Sequence, residues 1–204
     1  MRNYQKELDE IIEAHQARGE VPRLLLHACC APCSSYCIEY LSQYFSITLF
    51  YFNPNISPKA EYDHRVAEAK RLVESLPVKH PVSFLEGTYD PQTFFDAVQG
   101  LENEPEGGKR CDVCFRLRLR EAAKQAKNGG FEYFTTTLSI SPLKDADKLN
   151  AIGEEVAAEF GVPHLPSNFK KKNGYKRSIE LSTEYDLYRQ NYCGCVFSKT
   201  AAQV

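Results

Sequence analysis

The sequence predicts an α/β fold built on a parallel sheet, with a helical C-terminal extension, and two observations carry that expectation. Short apolar runs framed by Pro and turn residues alternate with longer amphipathic stretches along most of the chain. Two groups rich in chemistry, Cys29-Cys30 and Ser139-Ile-Ser-Pro142, directly follow expected strands, which is where open parallel sheets place their ligand sites. The 204 residues are read as one domain, 1–204, with an α/β core over 20–165 and an extension over 166–204.

In chain order, Met1 to Ala17 sets Leu8, Ile11 and Ile12 among Arg2, Lys6, Glu7, Asp9, Glu10 and Glu13, the pattern of an amphipathic helix rather than of a signal peptide's apolar core. Arg23 to Ala28, between Pro22 and a Cys-Cys-Ala-Pro turn, reads as a buried strand. Pro32 suits the first turn of a helix that continues over Ser34 to Tyr44, with Cys37, Ile38, Leu41 and Phe45 facing inward. A second strand, Ile47 to Phe52, ends in the turn Asn53-Pro54-Asn55. Ser57 is expected to open a helix over Pro58 to Ser75, followed by a weaker strand at Val82 to Leu85. The acidic, Gly-rich segment Leu101 to Arg110 has loop composition. Helix over Asp112 to Lys127, a Thr-rich strand over Tyr133 to Leu138 and helix over Lys144 to Phe160 complete the alternation. Crossovers between parallel strands are right-handed.

The chain carries eight cysteines, six of them grouped as Cys29-Cys30, Cys111-x-x-Cys114 and Cys193-Gly194-Cys195. No run approaches the roughly 18 apolar residues of a membrane span, so a cytoplasmic protein with no membrane partner is expected. In a reduced compartment, paired thiols hold metal or exchange electrons more often than they staple a fold. Adjacent cysteines reach one centre only where the strand has ended and the backbone turns, and Ala31-Pro32 supplies that turn. A helix N-terminus beyond it favours thiolate. The two-residue spacing of Cys111 and Cys114 lets two thiolates share one metal or cluster. Four thiolates suit structural zinc or an iron-sulfur cluster, and their place on the working edge of a sheet favours the cluster. A disulfide across Gly194 is a small strained ring and hence redox-labile, the other reading being a Cys-x-Cys ligand pair. Cys37 is expected in the core, and Cys33 is a candidate ligand of a second metal or part of the outer shell of the first.

His27 stands either as a general acid or as a hydrogen-bonded core residue, and Asp112 as a proton donor or a helix cap. The net charge of -2 argues against nonspecific coating of nucleic acid, yet local basic runs exist: Lys170-Lys-Lys172 with Lys176 and Arg177 in an expected loop, and Arg116, Arg118 and Arg120. Phe169 and Tyr175 beside the first run are candidates for stacking on an unpaired base.

His27-Ala-Cys-Cys-Ala-Pro-Cys33, Asn53-Pro-Asn-Ile56 with Glu61-Tyr62 and Arg65, Arg110-Cys-Asp-Val-Cys114 with Arg116-Leu117, Thr135-Thr-Thr-Leu-Ser139 with Ser141-Pro142 and Lys144, and Tyr192-Cys-Gly-Cys195 with Phe197-Ser198 together resemble the QueH family of epoxyqueuosine reductases. The resemblance runs from about residue 23 to 199. It implies a Rossmann-like sheet similar to the adenine-nucleotide α-hydrolase type. It also implies reduction of epoxyqueuosine to queuosine at the wobble position of tRNAs with a GUN anticodon. By the same resemblance Cys29, Cys30, Cys111 and Cys114 would hold a 4Fe-4S cluster, and Cys193 with Cys195 would form a redox-active disulfide fed by an electron donor. Family members can carry an acidic residue at the position of Cys33, which leaves a second iron there open. Two rival readings are a tRNA-thiolating enzyme and a noncatalytic zinc-stabilised module. The first would need a Ser-Gly-Gly-x-Asp-Ser phosphate loop where this chain has Cys-Cys-Ala-Pro-Cys-Ser, and the second leaves the Cys-Gly-Cys group unused.

Overall fold

The central strand β1 (Arg23–Ala28) has side chains buried on both faces, which explains its uninterrupted apolar run. The computed structural model describes residues 2–201. β1 pairs in parallel with β2 (Ser46–Tyr51) and with β4 (Tyr133–Thr136), and β2 pairs in parallel with β3 (Val82–Glu86), giving the order β3-β2-β1-β4. Leu24 and Leu26 point into a core formed with α1 (Tyr4–Ala17), α2 (Ala31–Leu41), α3 (Lys59–Ser75) and α7 (Gly174–Glu184). Leu25 points the other way, into a core formed with α5 (Lys109–Gly129) and α6 (Ala146–Phe160). The short helices α4 (Pro91–Ala97) and α8 (Val196–Ala201) complete the described chain.

The chain winds from β1 outward to β3 and then returns to lay β4 on the opposite side of β1. Connections diverge between β1 and β4, and beyond their carboxyl ends lies the crevice in which such sheets bind ligands. The register sets Ala28 opposite Tyr51 and His27 opposite Thr136, so Cys29 leaves the sheet beside Thr137, with its amide N–H 3.4 Å from the Thr137 hydroxyl.

Several local expectations are corrected. Pro58, not Ser57, precedes the first turn of α3, and no side chain caps it. α5 begins at Lys109, so Cys111 lies in its first turn rather than before it. The last expected strand stops at Thr136, whose hydroxyl accepts from the Leu138 N–H and turns Thr137–Ile140 into a 3₁₀ helix. Residues 91–97 form α4, opened by Asp90 accepting from the Gln92 N–H with Pro91 in the first turn. Lys176 and Arg177 lie on α7, not in a loop.

Candidate metal and redox site

The strand-to-helix turn after β1 brings three sulfurs together. Cys30 sits in extended backbone immediately before α2, with its carbonyl accepting from the Ser34 hydroxyl at 2.7 Å. The Sγ atoms of Cys29, Cys30 and Cys33 all lie within 4.8 Å of one another, those of Cys29 and Cys30 at 3.7 Å. Asn53, in the turn after β2, donates to the Ala28 carbonyl at 2.8 Å and ties the two strand ends together. Hydrogen bonds from Cys30 and then Cys33, with a lesser contribution from the Lys144 ammonium, hold Cys29 well below the ordinary thiol range. The same bonding to Cys29 pushes Cys30 up to about 12.

A second group gathers around the start of α5. Cys111 and Cys114 line a small cavity together with Cys193 and Cys195, and Cys114 and Cys195 are packed with Phe94 and Val98 in one buried apolar cluster. Cys111 accepts the Gly107 N–H at 3.2 Å. A larger cavity, of about 370 Å³, adjoins the first and is lined by Cys29, Cys30, Cys33 and Cys193. Cys193, Lys144, Arg118, Glu106 and Leu143 line both, so seven of the eight cysteines border one continuous recess. Cys37 does not; it is fully buried in the core of α2. All eight are free thiols.

Cys193 is the activated member of its pair. A hydrogen bond from Cys195, then the Lys144 charge and the Ser198 hydroxyl at 3.3 Å, holds it well below the thiol range, while Cys195 is pushed up. Burial works against the Lys144 charge, but the fields of Cys29, Cys193 and Cys33 outweigh it and raise its pKa. Gly194 has φ of +96°, and a Cβ there would lie 2.8 Å from Ile56 Cγ1 and 3.1 Å from an Arg65 nitrogen. The conformation and the close approach both require glycine.

The segment carrying this pair is gripped by one polar stripe of α3. Arg71 donates to the Tyr185 and Asp186 carbonyls at 2.9 Å each, Glu68 accepts the Tyr188 N–H at 3.0 Å, Glu61 accepts the Tyr188 hydroxyl at 3.2 Å, and Arg65 donates to the Cys193 carbonyl at 3.2 Å. Helical spacing places these four on one face. Arg65 is 2% exposed, pairs with Glu61 at 2.7 Å and lies 5.3 Å from the Tyr192 ring centre.

The other expected site residues divide sharply. His27 is fully buried, bonded to Thr136 Oγ1 at 2.9 Å and the Phe52 carbonyl at 3.0 Å, and burial lowers its pKa to about 4. It is a neutral core residue. Asp112 pairs with Lys148 at 3.1 Å, and Gly108 rather than Asp112 precedes α5. Among the basic runs, Lys172 pairs with Asp9, Arg177 with Glu39, Arg116 with Glu155 and Arg120 with Glu159. Lys170 binds the Lys144 carbonyl at 2.7 Å, and Arg118 is buried beside the Cys114 carbonyl. Phe169 is 1% exposed and closed to any base, whereas Tyr175 stands at the rim of the larger cavity. Tyr51, Arg189 and Glu106 were not singled out from the sequence, because only the fold brings them beside the thiols.

A family model described as epoxyqueuosine reductase QueH matches residues 24–201. The chain is 44% identical to epoxyqueuosine reductase QueH of Streptococcus pyogenes serotype M1 over 198 residues, which is 96% of this chain and 78% of that protein. It is 44% identical to the QueH of Staphylococcus epidermidis over 200 residues, covering 96% of this chain and 84% of the relative. The QueH of Thermotoga maritima is 34% identical over 181 residues, 86% of this chain and 89% of that protein. With residues 24–201 matched, the span in which every cysteine of the recess lies, this chain belongs to the QueH family of epoxyqueuosine reductases.

Proposed function

We propose that this protein reduces epoxyqueuosine in tRNA to queuosine by means of a metal centre and a dithiol that share one recess. As a family member it is an oxidoreductase of queuosine biosynthesis, and its substrate is a tRNA. The observation that carries the redox reading is the convergence of seven cysteines on adjoining cavities at the carboxyl edge of the sheet. No helix among the described residues is long and apolar enough to cross a membrane. The tRNA substrate, with the modified base at the wobble position of GUN anticodons, suits action in the cytoplasm.

The donor set fits an iron-sulfur group, since it consists of thiols alone and the two cavities adjoin. Cys29, Cys30, Cys111 and Cys114 would hold it. When bound, a 4Fe-4S cluster supplies single electrons and a Lewis-acidic iron. The three-sulfur grouping of Cys33 with Cys29 and Cys30 favours Cys33 as a ligand as well, to a second iron beside the first centre.

Conversion of an epoxide to an alkene breaks two C–O bonds and consumes two electrons and two protons, releasing water. Oxidation of the Cys193 thiolate and the Cys195 thiol to a disulfide delivers both electrons and one proton, and solvent water supplies the second proton. An external electron donor then restores the dithiol. The Lys144 charge and the bonds from Cys195 and Ser198 favour thiolate at Cys193, while Cys195 is held toward the thiol, so one partner would give electrons and the other a proton. Lys144, bordering both cavities, holds positive charge where the departing oxygen gathers negative charge.

The test is anaerobic reconstitution with iron and sulfide, then mass spectrometry of nucleosides from epoxyqueuosine-containing tRNA treated with protein and reductant. Queuosine forms only with loaded protein. A loaded protein that leaves epoxyqueuosine unchanged overturns the substrate, and zinc without acid-labile sulfide overturns the cluster. Cys193→Ser keeps the visible absorbance of the loaded centre and loses turnover.

A further inference from the structure

Buried hydrogen-bonding groups almost always find partners, because an unpartnered one costs on the order of 1–3 kcal/mol and more when charged. Two donors on β2 and α3, the elements flanking the turn after β1, break this rule. The Tyr51 hydroxyl and Nη2 of Arg65 are both buried without a partner. The other two faces of the Arg65 guanidinium are satisfied by Glu61 and the Cys193 carbonyl, so the vacancy is confined to the remaining nitrogen. The Tyr51 side chain is fully buried at the end of β2.

The fold sets both donors on elements that adjoin Cys30. Tyr51 lies opposite Ala28 in the β1 register, and Cys30 follows Ala28 by two residues at the start of α2. Arg65, on α3, lines the same cavity as Cys30. Tyr51 and Arg65 interact electrostatically with one another, and each with Cys30. A neutral thiol is a weak acceptor, whereas a thiolate is a strong one.

We infer that the Tyr51 hydroxyl and Nη2 of Arg65 are a matched pair of donors for the Cys30 sulfur in its metal-bound thiolate form, and that they raise the reduction potential of the centre. This inference rests on Cys30 being a ligand, as proposed above. Hydrogen bonds and positive charge at a ligand sulfur withdraw electron density and favour the more negative, reduced state. Tyr51 and Arg65 are positioning residues here, acting through Cys30 and not on substrate. The arrangement also explains an otherwise costly defect, because the chain without metal holds two donors in readiness for an acceptor that metal binding creates.

The experiment is a potentiometric titration, followed by electron paramagnetic resonance, of anaerobically loaded wild type, Tyr51→Phe and Arg65→Lys, with iron and sulfide measured in each. Tyr51→Phe removes one oxygen and nothing else. Both variants are expected to have a more negative potential than wild type. In the metal-free chain Tyr51→Phe is expected to leave the thermal midpoint unchanged or raised, since the hydroxyl is unpartnered there. A purely structural hydroxyl would lower that midpoint instead, and this outcome overturns the inference. So does an unchanged potential in both variants. If Tyr51→Phe loses its iron while the metal-free midpoint holds, the hydroxyl serves the loaded state and the inference stands. Wild type without iron and sulfide sinks the metal-centre reading first, and is recognised before any variant is compared.

Discussion

The thiols of the β1 turn and the thiols of the C-terminal segment border the same recess but are held there by opposite means. Cys29 and Cys30 continue a strand whose partners flank it on both sides, and the adjoining backbone is fixed by strand pairing and by the first turn of α2. Cys193 and Cys195 belong to no strand. They are held by side chains of α3 reaching more than a hundred residues along the sequence, by the Gly194 carbonyl accepting the Ser57 N–H at 3.0 Å, and by the conformational freedom of Gly194. The contrast teaches that thiols bordering one recess are placed by two routes, one pair by continuation of a sheet strand and the other by side chains that dock a separate segment. Under the proposed function the first would serve the metal centre and the second the dithiol.

The largest expected effect separates the two directly. Cys30→Ser removes a proposed ligand from the fixed side, and iron content and queuosine formation should both fall by on the order of 100-fold or more. Metal analysis alongside nucleoside mass spectrometry checks this. Loading that survives with full stoichiometry would move Cys30 out of the ligand set.

Gly194→Ala strikes the docked side. A Cβ at φ of +96° beside Ile56 and Arg65 costs on the order of 1–3 kcal/mol locally, and displacement of the pair should lower turnover roughly 10- to 100-fold. Iron content and the global unfolding midpoint should stay near wild type, while limited proteolysis accelerates across residues 185–195. Equal losses of iron and turnover would show that the segment supports the metal side too.

Acid attacks the fixed side from beneath. Burial lowers His27 and His164 to about 4 from an ordinary 6.5. Below pH 6.5 the unfolded chain takes up protons that the folded chain refuses, so this stability is complete above 6.5 and is lost as pH falls toward 4. Denaturant titrations at pH 7.5 and pH 5 should differ by about 2 kcal/mol per histidine. His27→Gln should reduce that difference.

The smallest effect tests the charge that spans both groups. Lys144→Met should slow iodoacetamide labelling of Cys193 at pH 7 severalfold by raising its thiol pKa, with Cys195 remaining the slower of the pair. Unchanged labelling, read by peptide mass spectrometry, would assign the Cys193 thiolate to Cys195 and Ser198 alone.

The architecture was legible because β1, β2 and β4 carry strong local signals, apolar runs ended by turn residues, and the Cys-Cys turn announces where the first strand stops. α4 was missed although Asp90-Pro91 is an ordinary helix opening, since its seven residues have too little apolar periodicity to stand out. The basic runs misled for a different reason. Whether Lys172 is free depends on Asp9 and whether Arg116 is free depends on Glu155, partners remote in sequence that only packing reveals. Arg118 and Phe169, candidates for contact with nucleic acid by sequence, are buried, and a charge or an aromatic ring in a polar stretch gives no local sign of burial. Cysteine spacing thus marked the residues that the fold gathers at one recess, whereas the surroundings were assigned poorly, through unpaired charge.

The stripe of α3 that grips residues 185–194 also sets an order of events during synthesis. Every cysteine of the fixed side, and both cysteines of α5, leave the ribosome well before Cys193 does. The stripe of α3 that holds residues 185–194 is therefore made before the segment it holds. Residues 185–195 then complete the lining of the recess, bringing Cys193 and Cys195 to a place whose other five cysteines precede them in the chain.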